Sequence, residues 1–346
     1  MPVVIFLAFL FLILFPKEVS GSISNAVTLC MQTILPAMFP YFVLSDLFVS
    51  LGYAERLGGK MKRCMQSLFH VSGYGTVPLV IGLVGGYPLG AKTISQLYKN
   101  GSISRSDANK LLTFCCNAGP AFAIGVVGSA IYGAAVIGIV LFVIQIISAL
   151  LVGLLPMFRS TAGNDIPVQS SQMPSGFSAF VNSVTASVNV AAKVCAFILF
   201  FSVFITAQKL FLGENNAISA SLGMITELSA GTVLLAASAI PWPLKFCFTA
   251  AGIAFGGICV LCQTAAVLGE IGLSVRPYLL GKCVQCLFSA ILAFPVSFFL
   301  CPTETAGNFP VQIVPFQPNF WAVLPMFFLF LLFLQFPSSN LERSPL

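Results

Sequence analysis

Charge is scarce in these 346 residues: 8% are Asp, Glu, Lys or Arg, against 58% hydrophobic. Soluble domains carry roughly 25% charged residues, and a water-exposed fold this poor in charge would present apolar patches large enough to aggregate. Histidine is almost missing. The single one, His70, leaves a His-based metal site or a Ser-His-Asp triad little to draw on, and neither H-E-x-x-H nor G-x-S-x-G occurs. No catalytic constellation stands out, so the chain is expected not to be an enzyme. Dense basic patches are lacking as well. The net charge of +6 is scattered, which argues against a nucleic-acid partner. The one tight basic group, Arg56, Lys60, Lys62 and Arg63, flanks apolar stretches and so marks a cytoplasmic loop on an interfacial amphipathic helix.

What the chain has in abundance is apolar length. Continuous runs at 133–156, 191–207 and 321–336 approach the ~20 residues that cross ~30 Å of hydrocarbon as a helix. They lack the ten-residue alternation of a transmembrane barrel. The N-terminal run, up to residue 15, has no basic region before it and no small-residue cleavage site, so it reads as a first membrane helix rather than a leader. The expected fold is all-α: a polytopic transmembrane helical bundle integral to the cell membrane, with the lipid bilayer as its solvent.

Eleven cysteines raise a disulfide or metal question. Cys259, Cys262, Cys283 and Cys286 have a C-x2-C…C-x2-C spacing that matches some zinc sites. Both pairs lie on apolar helical stretches rather than on turn-rich loops, where cysteine acts as a small hydrophobe at helix contacts.

Breaks organise the rest. An apolar run ends at Gly85-Gly86-Tyr87-Pro88, and a second helix, opened by a Ser104/Asp107 capping pair, breaks at Asn117-Ala118-Gly119-Pro120. Past a polar, Ser/Pro-rich connection at 159–175, the pattern returns: one break at Thr226–Gly231, another at Gly256-Gly257, then an unbroken span. The implied division is 1–75 for the N-terminal helices and amphipathic segment, 76–158 for a first repeat, 159–175 for a connecting loop, 176–301 for a second repeat, and 302–346 for a C-terminal membrane helix and tail. Each repeat contains broken helices or re-entrant hairpins. Unwound backbone in lipid leaves polar groups unpaired at several kcal/mol each, so it persists only inside protein or along a wet cavity. Broken segments at matching positions are the mark of secondary transporters built from repeats.

Ionisable and polar groups at such breaks are functional candidates. They are Gly86, Tyr87, Pro88 and Lys92 at the first; Asn117, Gly119 and Pro120 at the second; Glu227 and Ser229 at the third; and Gly256, Gly257 and Gln263 at the fourth. Lys92, at the start of a half-helix with its positive dipole end, suits a carboxylate or phosphate. Glu227 suits a coupling cation or proton, or a pairing with Lys92 or Lys193. No cofactor is expected, and a coupling Na+ or H+ and a homo-oligomer are left open. The stretch 85–93, GGYPLGAKT, has one residue too many before its lysine for a P-loop and lacks the buried strand that motif needs.

Four motifs, GYPLGAK (86–92), NAGPAF (117–122), TELSAG (226–231) and FGGICVLCQ (255–263), resemble the sporulation integral membrane protein family of the YlbJ type, with its paired nucleoside-recognition or "gate" domains. The likeness runs over roughly residues 36–300. It implies a helical-hairpin transport fold with a central site. It also implies a role in moving dipicolinic acid across the outer forespore membrane during spore formation, with sporulation membrane proteins as partners. A nucleoside-type solute, or a scaffold that transports nothing, are the alternatives.

Overall fold

In the computed structural model, residues 2–158, 176–213 and 217–300 are described; the connecting loop at 159–175 and the C-terminal segment expected at 302–346 lie outside them. Every regular element among the described residues is helical, and the protein is an all-α helical membrane bundle.

The N-terminal run forms α1 (Pro2–Leu14), then turns by 97° into the next helix. At 13 residues it measures about 20 Å, short of a full crossing by itself. α2 (Pro16–Leu29) continues through a π-helical turn, Cys30–Ile34, into α3 (Leu35–Ser50). The wide turn sits directly before Pro36, whose ring clashes with the preceding turn and whose missing N–H frees a carbonyl. α4 (Tyr53–Cys64) holds the basic group, with Arg56, Lys60, Lys62 and Arg63 all exposed, and bends by 91° into the next segment.

The first broken pair is α5 (Thr76–Gly85) and α6 (Leu89–Lys99). The second is α7 (Arg105–Leu112), capped by Ser104 Oγ accepting from Asp107 N at 3.0 Å, and a π helix over Ala121–Ile131, joined by irregular backbone through Gly119. α8 (Ala135–Leu154) closes this half unbroken. α9 (Gly176–Leu212) runs 37 residues, about 55 Å. Two more broken pairs follow: α10 (Ala217–Thr226) with α11 (Leu228–Ala237), and α12 (Trp242–Phe255) with α13 (Gly257–Gly269). α14 (Arg276–Ser297) ends the described bundle, again unbroken. Among the described residues, α8, α9, α12 plus α13, and α14 are long and apolar enough to cross a membrane, and the two bent pairs raise the number of candidate spans there to six.

Packing between the halves is reciprocal. α3 lies on α9, and α8 lies on α14. α6 meets α13 while α11 meets the π helix; α7 meets α14 while α12 meets α8. The halves differ in how their second broken pair packs. The π helix packs along α8 in the first half, whereas in the second it is α12, the earlier member of its pair, that packs along α14.

Candidate functional site

The four breaks, far apart in sequence, are brought together in two crossings and one bridge. At the first crossing, Gly86 (φ 83°, ψ −166°) passes Gly119 so closely that a Cβ on Gly86 would lie 2.7 Å from Gly119 N. This backbone region is open essentially to glycine alone. At the second, Gly257 (φ 80°) lies against the backbone of Met224, Ile225 and Leu228, with Glu227 between them in sequence. Tyr87 makes the bridge. Its hydroxyl donates to Ala254 O at 3.0 Å, and its ring lies beside Gly256, 3.3 Å from where a Cβ would stand. The bond meets a need of α12, whose last carbonyls have no partner within their own helix. Pro88, joined to Tyr87 by a cis peptide bond, opens α6, its carbonyl accepting from Lys92 N at 3.0 Å.

Glu227 occupies the N-cap of α11. Its carboxylate accepts from Ser229 N at 3.0 Å and Ala230 N at 2.7 Å, so the half-helix end is neutralised by its own capping residue. Glu227 therefore pairs with neither lysine weighed against it: Lys193 bonds Glu270, and Lys92 lies elsewhere. Pro120 caps the π helix, half-buried and with no side-chain cap bond. Gln263 is buried on α13, where its amide lies 3.4 Å from Cys259 Sγ.

Two buried polar clusters flank the crossings. In one, Lys92 Nζ stands 3.0 Å from Asp46 Oδ1 on α3, both side chains under a tenth exposed. Ser183 of α9 donates to Asp46 Oδ2 at 2.8 Å, and Gln96 donates to Oδ1. Lys92 thus has a carboxylate of its own, and the cluster ties α6 to α3 and α9. In the other, Lys282 on α14, fully buried, donates to Gln285 Oε1 at 2.6 Å and Asn117 Oδ1 at 3.3 Å. Gln285 Nε2 donates to the same Asn117 oxygen at 2.9 Å, Asn117 Nδ2 donates to Phe114 O at 2.8 Å, and Gln145 Nε2 donates to Ala118 O at 2.9 Å. The backbone between α7 and the π helix is thereby held by side chains of α8 and α14. The approach depends on Gly281, where a Cβ would fall 2.2 Å from Thr113 O.

Asp46, Gln145, Lys282 and Gln285 were not singled out by the reading of the breaks. Their signal was nonetheless in the sequence: each is a charge or amide inside an otherwise apolar run, the circumstance that marks a functional position in a membrane helix.

The geometry defines a class: an integral membrane protein of broken helices, crossing in pairs, with unwound backbone satisfied by buried polar side chains. The chain is similar to the sporulation integral membrane protein YlbJ of Bacillus subtilis (strain 168), 26% identical over 323 residues that span 82% of this chain and 78% of that protein. This similarity, over most of both chains, agrees with the resemblance carried by the four break motifs and with a broken-helix membrane bundle. No family model matches the sequence, and no solved structure matches it.

Proposed function

We propose that this protein is a carrier, not an enzyme, for a small anionic or heteroaromatic solute, and that in spore formation its solute is dipicolinate, a planar aromatic dianion, moved across the outer forespore membrane. The observation that bears most weight is the convergence of four helix breaks inside the bundle. Isolated breaks would be costly in lipid; paired crossings at matching places in two halves are the architecture that places a solute site at the middle of a membrane. The similarity to a sporulation membrane protein supports the setting. Tyr87 and the buried Lys282 supply an aromatic face and positive charge of the kind such a solute needs.

The test is uptake of labelled dipicolinate into proteoliposomes holding the purified protein, with a nucleoside as competitor. Saturable uptake, reduced several-fold in a folded Glu227→Gln variant, is the expected result. Glutamine keeps one acceptor for the α11 end but removes the buried charge. Nucleoside uptake in place of dipicolinate would keep the carrier and replace the solute. Folded protein that takes up neither would make the protein a scaffold.

A further inference from the structure

Three lysines are buried among the described residues: Lys92, Lys110 and Lys282. Lys92 is matched by Asp46. Lys110, in the last turn of α7, donates to Leu155 O at 3.4 Å. Lys282 is different. It is fully buried in the second turn of α14, its hydrogen-bond partners are the neutral oxygens of Asn117 and Gln285, and among the described residues no carboxylate forms an ion pair with it. Its Nζ stands 5.2 Å from the centre of the Tyr87 ring and 5.9 Å from that of Tyr278.

Removing an ammonium from water costs several kcal/mol even after the protein relaxes. Amide oxygens and ring faces offset part of that; a carboxylate would offset more, because bonds between ionised partners are roughly twice as strong as neutral ones. Both present acceptors are side-chain amides, each able to rotate away without moving the backbone. One of them, Asn117, belongs to the second break. The ring beside the ammonium, Tyr87, belongs to the first and reaches the fourth through Ala254 O. The cation is therefore wired to three of the four breaks, between two flat apolar walls.

We propose that Lys282, rather than the already neutralised Lys92, anchors a carboxylate of the transported solute, which displaces the Asn117 or Gln285 oxygen and lies with its ring beside Tyr87 and Tyr278. The solute class is a planar carboxylate. This rests on the carrier reading and adds to it a residue and a chemistry.

Labelled dipicolinate in proteoliposomes is the probe. Lys282→Met is expected to raise the half-saturation concentration at least tenfold. Asn117→Asp is expected to do the same by the opposite route, since it gives Lys282 a carboxylate of its own about where the amide oxygen now stands. Wild-type half-saturation in either variant, shown folded by its melting curve, would overturn the assignment while leaving the carrier reading intact. Should Lys282→Met fail to fold, the wild type decides. Unlabelled dipicolinate should compete at least ten times better than pyridine-2,6-dicarboxamide, its uncharged counterpart of the same shape, and equal competition would overturn the anchoring role. A wild-type protein that takes up no dipicolinate overturns this assignment, and one that takes up no nucleoside either overturns the carrier reading with it.

Discussion

Replacing Asp46 with Asn isolates the worth of a buried charge pair in this bundle. The side chain keeps its size, and Gln96 keeps an oxygen to donate to. Ser183 can turn its hydroxyl to accept from the new amide. What is lost is the negative charge 3.0 Å from Lys92 Nζ, where the two side chains are 7% and 8% exposed. Breaking a buried pair from one side costs about 3–5 kcal/mol, because an uncompensated charge remains. In a bilayer or micelle the denatured state also finds polar partners, which favours the lower end, about 3 kcal/mol. Removing both charges, as Asp46→Leu with Lys92→Met, leaves no stranded ion. Its main loss is the acceptor for Gln96 and Ser183, about 1 kcal/mol for each. The double variant should therefore be no less stable than Asp46→Asn alone. The assay is loss of helicity on titrating SDS into detergent-solubilised protein, read for the wild type, Asp46→Asn, Asp46→Leu, Lys92→Met and the double variant. An Asp46→Asn cost under about 1 kcal/mol, or a double variant as unstable as the two single changes combined, would refute the reasoning.

Two further changes probe the crossings. Gly86→Ala should cost several kcal/mol, since its backbone lies where only glycine is at ease and the new methyl would sit 2.7 Å from Gly119 N; Gly59→Ala, on exposed α4 with nothing within 4 Å, should leave the same SDS midpoint unchanged or raise it. Tyr87→Phe should lose about 0.5–1.5 kcal/mol by freeing Ala254 O, and amide exchange should quicken just past Gly256 more than in α8.

The breaks were legible because glycine and proline punctuate a helix locally: Gly85-Gly86 ahead of Pro88, Gly119-Pro120 and Gly256-Gly257 each interrupt a run that nothing else would stop. The Ser104 cap was legible for the same reason, its partner Asp107 being three residues on. The partners of the buried charges were not. Asp46 and Lys92 are 46 residues apart, and Asn117 and Lys282 are 165 apart, so their meeting depends on how α3, α6, α9 and α14 pack, which no local period encodes. Reading charge only at the breaks also directed attention to Lys92 and away from Lys282, which sits within an unbroken helix and reaches a break from outside. The extent of α7 shows the same limit. Residues 105–116 read as one helix, but it ends at Leu112, because Thr113 to Asn117 turn to meet α14.

Electrically the two halves are not copies. The third break is closed by an anion of its own, Glu227, while the second is reached by a cation from a neighbouring helix and begins its π helix without a capping side chain. If the bundle works by exchanging the postures of its halves, the two end states are unequal in energy before any solute or membrane voltage acts on them. One of them is the resting state, and a shift in voltage favours one direction of exchange over the other.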